Sequence, residues 1–199
     1  MFSVFKPKIT ARFFSNLVKI DFLLQICVVY KETMDKRVHD TCVEMLQQRG
    51  YSVSVDGDII IGEKSSTDRI IIFYNPGSIA ISHVKEYINV MDKASFSHAI
   101  AIHKEGITPQ ASKTTEMLPD KEIEIFPEER LLYNITKHRL VPAHRRLSAF
   151  EAATFKRKYG VKIPVLLQTD AISRFYNFKS GDIIEITRID GIVVFRIVK

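Results

Sequence analysis

Residues 134–148 read NITKHRLVPAHRRLS, and the texture of the chain changes near His138. The stretch ends on Ser148, which with Glu151 forms a Ser-x-x-Glu capping box. In that motif each side chain satisfies an orphan backbone N–H of the other residue, so a helix must start there. The predicted helix runs to Tyr159 and stops at Gly160. Ile163-Pro164 then requires extended backbone. Asp170 is positioned to cap a short helix carrying Arg174 and Phe175. Ser180-Gly181 turns into a β-rich run, Asp182 to Arg188, and a second run, Ile192 to Val198, follows Asp190-Gly191. Two such runs bridged by Asp-Gly predict a hairpin, with positive φ at both central residues of a type I′ turn.

Upstream, helices and strands alternate. Val38, Cys42, Met45 and Leu46 lie on one face of a helix that ends at Gly50. Asp58 to Ile61 and Ile70 to Tyr74 read as strands separated by a polar turn around Ser65, and Asn75-Pro76-Gly77 ends the second. Val84, Tyr87, Ile88 and Met91 mark another helix, Ala99 to His103 a strand, and Ile123 to Phe126 one more. Between these, Gly106 to Pro109 is a turn that opens a polar helix through Met117. The alternation predicts an α/β layered domain over about 34–136, followed by a small α+β domain over 137–199 with a C-terminal β-hairpin.

The bulk properties exclude more than they assign. With 199 residues, 46% hydrophobic and 26% charged, the chain is long enough for one sizeable core or two modest ones. Its net charge of +6 suits a polyanionic partner without requiring one. Two cysteines, Cys27 and Cys42, cannot staple two domains, which favours a reducing intracellular setting. No run approaches the roughly 18 apolar residues of a membrane span; the nearest, Leu17 to Tyr30, is broken by Lys19 and Asp21. Residues 1–33 begin basic and acid-free up to Asp21, as an organelle transit peptide would. A loose tail, an upstream start in the gene, a partner-binding segment and a targeting signal all fit that composition.

Catalytic chemistry has little support. A metal-dependent nuclease needs clustered carboxylates and a lysine around the scissile phosphate. Asp56, Asp58, Glu63 and Lys64 offer the nearest set, and their spacing fits a solvated turn better. His138 and His144 lack a serine or cysteine in an elbow-like turn. His98 and His103 fall on opposite faces of a strand, a packing pattern more than a metal-binding one. No glycine-rich phosphate loop is present, and no metal or cofactor site is expected. Arg139, Arg145, Arg146, Lys156, Arg157 and Lys158 form a basic surface that could meet phosphates or an acidic partner as readily as solvent.

The core His138-x-Leu140-Val141-Pro142-x-His144 resembles the segment joining the two domains of the fifth-subunit family of eukaryotic nuclear RNA polymerases I, II and III. The archaeal RNA polymerases carry a smaller homologue that is similar to the part from about His138 onward and lacks the first domain. Tyr159, Ile163-Pro164, Asp170, Arg174-Phe175-Tyr176, Ser180-Gly181-Asp182, Ile186, Arg188, Gly191 and Arg196 continue the likeness. Upstream, Arg49-Gly50-Tyr51 and the stretch from Ile72 to Ser112 resemble the family's jaw domain. This chain departs from the family in having Ala171 after Asp170, a short Ile189-Asp190-Gly191 connection, Gln110 in the jaw loop, and a shortened jaw after Tyr51. A compact or fast-evolving lineage, such as an intracellular parasite or a large DNA virus, would account for these.

The resemblance implies a non-catalytic subunit without cofactors: a jaw of restriction-endonuclease-like layout and an assembly domain. The assembly domain would dock on the largest polymerase subunit, through His138, Leu140, Val141, Pro142, His144, Asp170, Arg174, Gly181, Asp182, Arg188, Gly191 and Arg196. In the jaw, Thr108, Pro109, Ala111 and Lys113 would lie nearest the downstream duplex, touching its backbone without reading bases. The implied location is the nucleus, or the cytoplasm or a viral factory for a viral protein. A metal-dependent nuclease and a free-standing transcription regulator are the alternatives.

Overall fold

The computed structural model describes residues 33–160 and 162–199; the expectations for residues 1–32 lie outside them. The chain divides into two compact units, the first ending at Leu132 and the second spanning Tyr133–Lys199. Among the described residues, no helix is long and apolar enough to cross a membrane.

The first unit is built on a five-stranded sheet in the order β1 (Ser52–Asp56), β2 (Ile59–Glu63), β3 (Arg69–Asn75), β5 (His98–His103), β7 (Glu122–Pro127). The first three strands are antiparallel and the last three parallel. Helices α2 (Ile81–Ala94) and α3 (Pro109–Glu116) make the crossovers between the parallel strands. They pack on the face carrying Ile71, Phe73, Ala99, Ala101 and Ile123, where Tyr87 of α2 stacks on Phe73 at 4.3 Å between ring centroids. Helix α1 (Lys36–Gln48) ends on the opposite face, its Val38, Cys42, Met45 and Leu46 buried. Burial on both faces explains why β3 reads as an unbroken apolar run, Ile70 to Tyr74.

Strand β1 departs from the sequence reading, which placed only a helix end and one strand in this region. It pairs with β2 from Ser52↔Glu63 to Asp56↔Ile59. The two-residue loop between them has Gly57 at φ 60° with Asp58 at negative φ, the pattern of a type II′ turn.

The second unit holds a four-stranded sheet in the order β8 (Ala143–Arg146), β10 (Ile183–Thr187), β11 (Val193–Val198), β9 (Val165–Leu166). One face, with Ile184, Ile186 and Val198, packs on Ile172 and Phe178 from the segment around α5 (Ala171–Tyr176). Helix α4 (Ala149–Tyr159) begins at the expected capping box: Ser148 N–H donates to Glu151 Oε2 at 2.8 Å, and Glu151 N–H donates to Ser148 Oγ at 3.3 Å. Asp170 caps α5, accepting from Ile172 N–H at 2.9 Å.

The hairpin turn is a correction. Gly191 has φ 80° while Asp190 does not take positive φ. Gly191 N–H donates to Arg188 O, and Arg188 N–H donates to Ile192 O, both at 2.9 Å. This is the three-residue loop in which a left-handed glycine closes the turn, in place of the two-residue type I′ turn.

Candidate functional site

In the first unit, the loops after β3 and β5 meet at the carboxyl end of the parallel strands. Strand β4 (Ser78–Ile79) pairs with β6 (Gly106–Ile107), and Thr108 N–H donates to Ile79 O at 3.0 Å. The pairing fixes where α3 starts. Thr108 caps it, Pro109 occupies its first turn, and Thr108 Oγ1 accepts from Ala111 N–H at 3.4 Å. Ala111 therefore does not face outward: its methyl is buried in the core and its N–H is used by the cap. Pro109, Gln110 and Lys113 are the exposed members of this turn. Asn75 holds the neighbouring loop, accepting from Gly77 N–H at 2.9 Å with its amide nitrogen 3.0 Å from His83 Nδ1.

The carboxylates considered for nuclease chemistry do not converge. Asp58 and Glu63 stand at opposite ends of β2, roughly 17 Å apart at the rise of a strand. A different cluster, which sequence reasoning missed, lies on the face beneath α1. His98 Nε2 is 2.9 Å from Glu124 Oε1 and 3.8 Å from Glu122 Oε2. One ligand atom from each of the three residues falls within 4.8 Å of the others, so the donors for a divalent cation are at hand. Both Glu124 oxygens, however, already accept from Arg49, the C-cap of α1, at 2.6 and 2.9 Å. The guanidinium supplies the positive charge that a metal would bring, and it would repel one. Burial alone would raise the Glu124 pKa; the Arg49 charge and the His98 hydrogen bond outweigh it and hold the carboxyl at about 2. The signal in the sequence was the alternation Glu122-Ile123-Glu124-Ile125, acids on one face of a parallel strand and apolar residues on the other.

The second unit scatters the residues expected to dock. His138 and Leu140 are exposed, Leu140 to 75%. Leu140 N–H donates to His138 Nδ1 at 3.2 Å, and the His138 ring meets Tyr133 edge-on. Val141 packs against the core and Pro142 is half-buried. His144 Nδ1 lies 2.8 Å from Pro142 O. Burial pushes the His144 pKa down, with the Pro142 carbonyl and Asp170 acting upward and Arg196 downward. His144, Asp170 and Arg196 thus share one neighbourhood. Arg174 is half-buried on α5. Gly181 and Asp182 sit before β10, where Asp182 Oδ2 accepts from Lys179 N–H at 2.8 Å. Arg188 and Gly191 occupy the hairpin tip beyond its other end.

The expected basic surface is partly neutralised. Arg145 donates to Glu185 and Glu151 at 2.9 to 3.1 Å, and Arg146 reaches Asp182 at 3.5 Å. Lys156, Arg157 and Lys158 remain exposed. Of the eleven exposed large hydrophobic residues among the described ones, nine belong to the second unit. Ile189, Ile192 and Val193 gather at the hairpin tip. There the cross-strand row Ala143–Thr187–Val193 is exposed, while the next row is partly covered by Phe155 of α4 against Phe195.

Comparison with known proteins finds similarity both in the second unit and along most of the chain. The family model "RNA polymerase Rpb5, C-terminal domain" matches residues 133–198, the span of the second unit. The chain is 27% identical over 184 residues to the subunit RPABC1 of DNA-directed RNA polymerases I, II and III of Caenorhabditis elegans, covering 76% of this chain and 87% of that one. It is 27% identical over 172 residues to subunit 5A of the DNA-directed RNA polymerase V of Arabidopsis thaliana, covering 72% and 77%. The Dictyostelium discoideum subunit of polymerases I, II and III is 31% identical over 129 residues, covering 61% and 66%. Among solved structures, the DNA modification-dependent restriction endonuclease AspBHI aligns with a TM-score of 0.28 at 11% identity over 65% of this chain and 38% of that one. A likeness that distant carries no argument. With a matching C-terminal domain and relatives aligned over most of its length, the chain belongs to the Rpb5 family of RNA polymerase subunits.

Proposed function

We propose that this protein is a non-catalytic subunit of DNA-directed RNA polymerase, shared by polymerases I, II and III in the nucleus. Its second unit docks on the largest subunit. Its first unit, a jaw of restriction-endonuclease-like layout, leans toward downstream duplex DNA and has no active site of its own. The observation that carries the reading is the concentration of exposed apolar side chains in the unit matched by the Rpb5 domain. The Thr108–Lys113 turn meets DNA through the Gln110 N–H, the Thr108 hydroxyl and the Lys113 ammonium. So few groups neutralise few phosphates, so binding by the isolated protein is weak, indifferent to sequence and confined to low salt.

Tagging the protein in its own cells and identifying what co-purifies tests this directly. The large polymerase subunits are expected in near-stoichiometric amounts; a pull-down without them would support a free-standing regulator. Plasmid cleavage in Mg²⁺ or Mn²⁺ that Asp58→Ala abolishes would replace the reading with a nuclease, although the separation of Asp58 from Glu63 argues against it.

A further inference from the structure

Helix α4 is capped at its start and yet buries none of its eleven residues. Ala149, Ala152, Ala153 and Lys156 fall at i, i+3, i+4 and i+7, so they share one face. That face overlooks a groove of about 550 Å³ against Arg146, Leu147 and Gly181–Ile183, within the roughly 300–1,000 Å³ of clefts that hold ligands. Leu147 N–H donates to Ile183 O at 3.0 Å, which fixes the strand ends that make the floor. Methyl groups line the wall where larger side chains would have filled the space from within.

Charge says what enters. Two cations, Arg146 and Lys156, line the groove, and one acid, Asp182, faces them. Asp182 is already engaged by Lys179 N–H at 2.8 Å and Arg146 at 3.5 Å. Lys156 has no ion pair among the described residues, and Arg157 and Lys158 continue the positive charge past it. A duplex nucleic acid would meet this charge on the outside and leave the alanine-lined space empty. We propose that the groove seats a peptide segment of a partner protein, one that inserts a bulky apolar side chain between α4 and the β10 end and sets carboxylates against Lys156 and Arg146. The inference deepens the docking reading and rests on it, since the segment belongs to the protein on which the second unit assembles.

The test uses the full chain, labelled with ¹⁵N, and three synthetic peptides: acetyl-EEFEE-amide, acetyl-KKFKK-amide and acetyl-EEGEE-amide. The acidic phenylalanine peptide is expected to shift the amide signals of Ala149, Ala152, Ala153 and Gly181, and the other two are not. Ala152→Trp, which fills the groove from a half-buried helix position on its wall, should abolish the shifts while leaving the rest of the spectrum in place. Lys156→Glu should weaken the peptide about three- to fivefold, the scale of one exposed charge pair. Equal shifts from all three peptides, shifts elsewhere in the unit, or stronger shifts from a 12-base-pair DNA duplex would overturn the proposal. Co-purification of the wild-type chain with the large polymerase subunits is scored separately. Its failure sinks the docking reading, whereas peptide failure with normal co-purification sinks only the groove.

Discussion

Arg49 and Glu124 lie 75 residues apart in sequence and meet as a two-pronged ion pair, Nη1 to Oε1 at 2.6 Å and Nη2 to Oε2 at 2.9 Å. Their side chains are 3% and 11% exposed, so the pair is shielded from water and fastens the end of α1 to the edge strand β7. Removing one partner leaves the other charge buried. Arg49→Met should therefore destabilise the protein by about 3–5 kcal/mol in chemical denaturation. Replacing both residues with methionine should cost less than Arg49→Met alone, because no charge is then stranded. A double variant weaker than the single one would show that the pair is not coupled as described.

The same carboxylate predicts an acid response. Its folded pKa, about 2, lies below the ordinary 4.5. A depressed carboxyl stabilises the fold fully above the unfolded value and loses that contribution as pH falls toward the folded one. Between pH 4.5 and 2 the unfolded chain therefore binds one more proton at this position than the native chain. Glu124→Gln should flatten the slope of stability against pH by up to one proton in that window. Other carboxylates titrate in the acid range too, so the informative quantity is the difference between variant and wild type.

What the sequence disclosed follows from how local each signal is. The capping box at Ser148 and Glu151, the Asp170 cap and the apolar run of β3 are written in adjacent residues, and each stands where it was read. Strand β1 is short and lies at the sheet edge directly after the helix end, and although Tyr51, Val53 and Val55 alternate with polar residues, Val53 is only half-buried and Val55 exposed, so the pattern marks no strong core face. The His98–Glu124–Arg49 cluster is assembled from α1, β5 and β7, and only parallel strand register makes it visible. Ala111 was misjudged for a related reason. A helix start looks polar in sequence, but its third residue turns back into the core. The groove under α4 was not read because alanines at helical spacing look like ordinary helix formers.

Cys42 offers a probe of the first unit from inside. It is fully buried on α1, and burial pushes its thiol up to about 12. Because the thiolate is the reactive species, such a thiol should resist alkylation at pH 8. In a Cys27→Ser background, iodoacetamide labelling of Cys42 should proceed only as fast as the unit opens, rising together with loss of the circular dichroism signal in urea. Labelling at the rate of a free thiol in native buffer would contradict the packing of α1.

The hairpin tip separates stability from assembly. Ile189 is 90% exposed at the turn whose shape Gly191 sets, beside Ile192 and Val193, and it contributes nothing to the core of its own unit. Folding alone gives no reason for an isoleucine there, since an exposed position of this kind tolerates substitution within about 0.5 kcal/mol. Docking does give one, because a protruding apolar residue repays its exposure only when a partner covers it. Ile189→Asp should therefore unfold at the same urea concentration as wild type yet co-purify with markedly less of the large polymerase subunits. Gly191→Ala strains a residue at φ 80° and should lower both stability and assembly. If Ile189→Asp assembles normally while Gly191→Ala does not, the tip matters for its backbone shape and the docking surface lies elsewhere on the unit.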